Sequence, residues 1–282
     1  MPVSAVFRSH YFNRFFAVLI LGSFAIGVIA PFDGRAEDDG LGYKYTPQLP
    51  NSKWRVHDRN RPQAPKVVPG ETPGAPPSDA VVLFDGTDFT QWEKTKAKNL
   101  GAESGDDALD RKLIQDGSFD IMKTGWIQTK QHFGDCQLHI EWAAPKKADA
   151  GNLDWGNSGI FFLGQYELQV LESHDNKIYA DGMAGAIYGQ TPPLANPARK
   201  PGEWQTFDVI FTAPRFAGEK LLSPAYITVL WNGVLVQNHT EIMGSTRHLT
   251  FPNYRSFESS APLVIQPHRS AVRYRNIWIR PL

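Results

Sequence analysis

Two short runs carry side chains whose types and spacing could do chemistry together. From Tyr166 the chain alternates: Tyr166, Leu168 and Val170 fall on one side of a strand, and Glu167, Gln169 and Leu171 on the other. An aromatic and aliphatic face packs on a core. The opposite face then displays a carboxylate and an amide side by side on a rigid strand, a platform suited to a polar ligand such as a sugar. Cys136–Trp142 repeats the pattern, with Leu138, Ile140 and Trp142 on one side and Gln137, His139 and Glu141 on the other. If the two strands share a sheet and a face, Glu141 and Glu167 converge with Gln169 on one concave surface. A carboxylate held there beside apolar rings has a raised pKa and can act as a base. Two carboxylates flanking a sugar can instead run ordinary glycoside hydrolysis. Taken singly, each is an ordinary solvated residue of a half-exposed strand; the doubling of the pattern is what points to a site.

Other candidates stand around these strands. Asn157 belongs to a polar turn, Asn157-Ser158-Gly159, just before a second strand-like run, Ile160–Leu163. Tyr188 lies in the glycine-bounded segment Gly185–Gly189, which is flexible enough to bring the phenol over the site. Arg273 and Arg275 alternate with Tyr274 and Asn276 near the C-terminus; such arginines fix hydroxyls or an oxyanion, although edge-strand solubility is the simpler reading. Trp142 falls on the apolar face and is assigned to the core, whereas Trp155, in a loop, is the better candidate for stacking on a sugar. The histidines are scattered, with no HExxH and no paired cysteines, so nothing local builds a metal site. No cofactor is expected, and a divalent cation assembled from distant residues is left open. Ser158 lacks the spacing of a nucleophile elbow. Cys136, the single cysteine, reads as a small core residue and permits no intrachain disulfide.

The elements that must position these groups are strands. After Val81–Phe84 come Asp120–Thr129, read as a strand pair broken at Gly125, then Cys136–Trp142, Ile160–Leu163 and Tyr166–Glu172. Trp204–Thr212 alternates again, with Gln205, Phe207, Val209 and Phe211 on one side. Tyr226–Trp231 and Val234–Asn238 flank Asn232-Gly233, a hairpin signal because both turn positions need positive φ. Pro262–Gln266 and Val272–Ile279 close the chain, and helical periodicity is confined to one turn at Ala108–Leu113. Many short strands without βα alternation predict an all-β, two-sheet jelly-roll sandwich.

Composition bounds the function classes. The 282 residues hold 29 Lys and Arg against 29 Asp and Glu, so there is no basic field and no nucleic-acid partner is expected. Hydrophobic content of 41% supplies a real core, and 24 Gly with 21 Pro suit a turn-dense β protein. Residues 1–36 read as a signal peptide: Arg8 and Arg14 precede the uncharged run Phe15–Ala30, and small residues follow around Ala36. The chain is therefore expected to be exported, periplasmic or secreted, with no membrane partner beyond an uncleaved N-terminal anchor. Residues 37–79 have the polar, Pro-rich composition of an extended linker, and the globular domain is expected over 80–282.

The ordered motifs then match a known pattern. Phe84-Asp85-Gly86 with Trp92, Glu141-Trp142, Gly156-Asn157-Ser158-Gly159-Ile160-Phe161, Tyr166–Leu171, Gly185-Ala186-Ile187-Tyr188, Pro201–Gln205, Asn232-Gly233-Val234 and Arg275-Asn276-Ile277-Trp278 resemble the 3-keto-disaccharide hydrolase domain family over about Ala80–Leu282. The resemblance implies a concanavalin-like fold and an enzyme acting on glycosides oxidised to a 3-ketone. The ketone acidifies the neighbouring C–H, so a base forms an enolate, the glycosidic oxygen is eliminated, and water adds to the 3-keto-2-hydroxyglucal. It implies Glu141 or Glu167 as the base, with Asn157, Gln169, Tyr188, Gln266, His268 and Arg273 around the sugar. The chain departs from the family where it reads Gln266-Pro267-His268-Arg269; the family often has Gln-Asp-His-Gly, so one carboxylate and one backbone N–H are missing here. A non-catalytic, lectin-like carbohydrate-binding module and a conventional two-carboxylate glycoside hydrolase are the competing expectations.

Overall fold

In a computed structural model the described residues are 40–95, 100, 108–148 and 151–282. The signal segment at 1–36 lies outside them. The chain divides into two compact units, Met1–Pro65 and Lys66–Leu282. In the first, turns and isolated bridges join Tyr43 to Asp58 and Gln48 to Arg55. Among the described residues no helix is long and apolar enough to cross a membrane.

The second unit is built from strands β1 (Val81–Phe84), β2 (Trp92–Lys94), β3 (Ile114–Gln115), β4 (Ser118–Asp120), β5 (Ile127–Phe133), β6 (Cys136–Ala143), β7 (Ser158–Phe162) and β8 (Tyr166–Val170). They are followed by β9 (Gln205–Thr212), β10 (Arg215–Ala217), β11 (Lys220–Ser223), β12 (Ala225–Trp231), β13 (Val234–Ile242), β14 (Ala261–Pro267) and β15 (Arg273–Pro281). Eight of them form a large antiparallel sheet ordered β13-β12-β9-β6-β15-β4-β3, with β1 also pairing β15. Five form the second sheet, ordered β2-β5-β14-β7-β8, and β10 and β11 make a separate hairpin. The last strand, β15, pairs with both β6 and β4. The fold is the expected two-sheet sandwich, consistent with a jelly roll.

Period-two alternation explains the packing. Gln205, Phe207, Val209 and Phe211 all turn inward from β9, and Leu138, Ile140 and Trp142 do so from β6. The two sheets meet through aromatic rings: Phe211 stacks on Phe162 of β7 at 4.7 Å between centroids and touches Tyr166 of β8 at 6.1 Å. Burying rings of this size contributes about 1.5–3 kcal/mol per side chain. One polar link crosses the core, where the buried Tyr274 hydroxyl of β15 donates to Ser158 Oγ of β7 at 2.7 Å. The Asn232-Gly233 hairpin forms as expected, with φ of 51° and 80° at its two turn residues.

Two expectations change. Ile121–Thr124 is a single helical turn and not a strand, because the Asp120 carboxylate caps the Met122 N–H at 2.9 Å and Gly125 ends the turn at φ 66°. Residues 66–79, read as extended linker, have no helix or strand, yet they pack with the second unit. The Gly74 carbonyl accepts from Asn276 Nδ2 at 3.0 Å and from Trp278 Nε1 at 2.9 Å. Gly74 sits at φ 82°, and a Cβ there would lie 3.2 Å from the His139 ring. Gly74→Ala is therefore expected to loosen this segment, read as faster proteolytic cleavage within residues 66–79 at little change in the melting of the sandwich.

Candidate functional site

On β8 both faces are covered. Tyr166, Leu168 and Val170 enter the core, as the alternation predicts, but Glu167 and Gln169 are also buried, at 8% and 2% exposure. The cause is a segment that adds itself along the open edge of β8. Gln169 N–H donates to Ala186 O at 3.0 Å, Gly185 N–H to Gln169 O at 3.0 Å, and Tyr188 N–H to Glu167 O at 3.2 Å. Gly185 and Gly189 have φ of 81° and 67°, so the glycine-bounded turn takes a path that places Tyr188 over the Glu167 face. Thr246 Oγ1 accepts the Glu167 N–H at 2.9 Å along the same edge.

The result is a cleft of about 440 Å³ on the face of the five-stranded sheet away from the core. It gathers six of the expected residues, Asn157, Glu167, Gln169, Tyr188, Gln266 and His268. Glu167 lies on its floor. Neighbouring β7 makes room for it: Gly159 faces Gln169 in the ladder, and a Cβ on Gly159 would collide with Glu167 Oε1 and sit 2.8 Å from Phe161 Cε2. Among the described residues no donor is hydrogen-bonded to the Glu167 carboxyl. Burial without a partner penalises the ionised form, which raises its pKa from 4.5 to about 8.

Around this acid the polar groups are organised. Gln169 Nε2 donates to Asn157 Oδ1 at 2.9 Å and to Val170 O at 3.0 Å, so its Oε1 is turned to accept. Asn157 is itself held by Nδ2 donating to Leu153 O at 2.7 Å. The Tyr188 hydroxyl is 2.8 Å from His248 Nδ1 and 3.1 Å from the Tyr179 hydroxyl. Burial, then the Tyr179 contact, push the Tyr188 phenol above its ordinary range, so it stays protonated at neutral pH. His268 Nδ1 lies 3.1 Å from Asp154 Oδ1, and Arg269 Nη1 lies 3.5 Å from Asp154 Oδ2. Asp154 thus brings a carboxylate to the segment from which the family's Asp is missing. Pro267 is accommodated as the last β14 residue opposite Ser158, and Arg269 stands at φ 58°, a conformation that suits the glycine often found there. Among the described residues no group of three or more His, Cys, Asp or Glu side chains could hold a metal ion.

Three expected residues lie elsewhere. Glu141 is on β6, in the other sheet, and cannot meet Glu167: alternation fixed its face but not which sheet its strand would join. It takes Arg275 Nε at 2.7 Å and Asn276 Nδ2 at 2.8 Å, with His139 Nε2 at 3.7 Å. Burial alone would raise its pKa, but these partners outweigh it and hold Glu141 at about 2. His139 is instead raised to about 9: burial opposes its charge, while Asp208 at 2.6 Å and Glu141 favour it more. Asn276, at φ 43° in the β15 bulge between Arg275 and Trp278, is what aims its amide into this network. Arg273 also belongs to the large sheet, 5.1 Å from the Trp204 ring, and does not line the cleft. Trp155 donates its indole N–H to Pro145 O at 3.1 Å and is not part of the cleft wall either.

Sequence reasoning missed Asp154, Tyr179, Thr246, Arg247 and His248, all of which line the cleft. They lie on loops with no periodic signal; the only cue was the basic pair Arg247-His248.

The site is thus one buried acid among amides, phenols and histidines on the open face of a β-sandwich sheet. Residues 79–280 match the 3-keto-alpha-glucoside-1,2-lyase-like domain family, and the chain belongs to that family. Among solved structures it is similar to a candidate glycosyl hydrolase from Parabacteroides distasonis ATCC 8503, at 41% identity and a TM-score of 0.71, covering 81% of this chain and 97% of that one. A second candidate glycosyl hydrolase from that organism is 20% identical with a TM-score of 0.49, covering 72% and 94%. No curated protein matches the chain.

Three outcomes test this geometry. Glu141→Ala should cost about 1.5–3 kcal/mol in denaturant unfolding, since it strands hydrogen bonds to a charged group, while the cleft stays intact. Gly159→Ala should displace the Glu167 side chain and lower the melting temperature. Glu167→Gln should have the opposite effect on stability. The folded state binds the Glu167 proton more tightly than the unfolded chain, so stability falls as pH rises from 4.5 through about 8. The glutamine variant should melt like wild type near pH 4 and higher than wild type near pH 9, by on the order of 2–4 °C for each kcal/mol relieved.

Proposed function

We propose that this cleft cleaves 3-keto-glycosides by elimination and rehydration. The observation that carries the reading is the buried, unpartnered Glu167 carboxyl with its pKa near 8, in a chain of the 3-keto-alpha-glucoside-1,2-lyase-like family. A C–H beside a ketone is a weak acid, and a carboxylate that ionises near neutrality takes such a proton far better than an ordinary one.

In the proposed sequence Glu167 removes the C2 proton and the electrons move onto the C3 oxygen as an enolate. Gln266, whose side-chain amide has no partner among the described residues, donates to that oxygen. The enolate collapses, the C1–O bond breaks, and the departing oxygen takes a proton from the Tyr188 hydroxyl, which His248 supports. Water then adds across C1 and C2 of the glucal: its oxygen bonds to C1 as its proton passes to the Tyr188 phenolate, and the proton held by Glu167 returns to C2, which restores both residues. Gln169 Oε1 and Asn157 hold ring hydroxyls, and His268, with Nδ1 3.1 Å from Asp154 Oδ1, borders the same pocket. Export of the chain remains part of the proposal.

The decisive comparison is between a 3-keto-glucoside and the same glucoside unoxidised. Turnover of only the keto form is expected, with kcat/KM rising with pH through about 8 as Glu167 ionises. Glu167→Gln should lose about 10²–10⁴-fold in kcat. Cleavage of the plain glucoside would support conventional hydrolysis, and binding of either without turnover would support a lectin-like module.

A further inference from the structure

Beside the main cleft lies a smaller cavity of about 100 Å³, and Arg247 borders both. Its other walls include Arg255 and Asn253, the exposed ring of Phe251 and the ring of Phe257, with Tyr166 below. Four features stand together here. None of the nine lining residues is acidic. Neither guanidinium has an ion pair or side-chain hydrogen bond among the described residues, unlike Arg215, Arg275 and Arg280, which are paired. The Tyr166 hydroxyl is buried with no hydrogen-bond partner, a costly state for a phenol in a core. Finally, Phe251 is 89% exposed on the same loop, an apolar surface with nothing upon it.

Two unpaired guanidiniums against aromatic rings suit a flat acid: the charge-assisted hydrogen bonds take the carboxylate and the rings take its apolar body. Arg247 is a wall shared by the two cavities. The sugar being transformed must lie against Glu167, so a group reaching past Arg247 is a portion beyond that ring. We propose that this cavity is an aglycone subsite that selects glycosides whose leaving group carries an aromatic carboxylate. The proposal rests on the elimination reading for the identity of the leaving group, but the cavity's affinity for the acid does not depend on turnover.

The experiment compares wild type with Arg255→Gln, a change at an exposed residue confined to the smaller cavity. Two substrates are used, the 3-keto-glucoside of 4-hydroxybenzoate and that of its methyl ester. Comparing the same substitution on both cancels their different leaving-group acidities. A drop in kcat/KM of about tenfold on the acid, with the ester within twofold, is expected for a lost charge-assisted contact. An equal effect on both substrates, or none on either, would overturn the subsite. If wild type turns over neither, the elimination reading fails, and calorimetry with 4-hydroxybenzoate alone still decides the subsite. Binding to wild type that weakens about tenfold in Arg255→Gln supports it, and absent or unchanged binding refutes it. Melting curves of the variant at wild-type temperature exclude a folding defect.

Discussion

A carboxyl group kept from water without a partner exists only where the surrounding packing is rigid enough to impose it, and Glu167 is held in that way. The imposing structure is specific. β7 lies alongside with glycine at Gly159, the segment Gly185–Gly189 closes the strand edge, and Thr246 anchors the backbone. Those elements rest in turn on the stacked rings of Phe162, Tyr166 and Phe211 between the sheets. The stability of the sandwich is what permits a destabilising buried acid on the floor of its cleft.

The contrast between Glu141 and Glu167 shows how environment divides one side chain into two roles. Both sit on strands with alternating neighbours, and both are largely withdrawn from solvent. Glu141 is surrounded by Arg275, Asn276 and His139 and is locked as a carboxylate. Glu167 has none of these and is poised between its two protonation states. The first makes a structural clasp on the outer face of the large sheet, next to the Gly74 segment. The second is the base of the proposed elimination.

The departures from the family pattern at Pro267 and Arg269 are absorbed locally. A proline at the end of β14 loses a donor where the ladder is already ending, and Asp154 brings a carboxylate to His268 from a different loop. The charge is thus relocated, and the cleft keeps an acid beside this histidine without the acid that normally precedes it.

Period-two hydrophobicity was enough to place most of the strands, the faces they turn to the core and the sandwich, because side-chain alternation is a local property of an extended chain. The order of short motifs identified the family and with it Gln266 and His268, while the polar face of β8 and the segments before and after it named Asn157, Glu167, Gln169 and Tyr188. Strand neighbours are set by long-range pairing, which alternation does not encode. For that reason only the tertiary structure separated Glu141 and Arg273 from the cleft. It also brought in Asp154, Thr246, Arg247 and His248 from loops without periodicity, and withdrew Glu167 from water by laying the Tyr188 segment along its strand. The sequence determined that a carboxylate would stand on this face; the depth at which it stands, and hence its basicity, depends on groups distant in the chain.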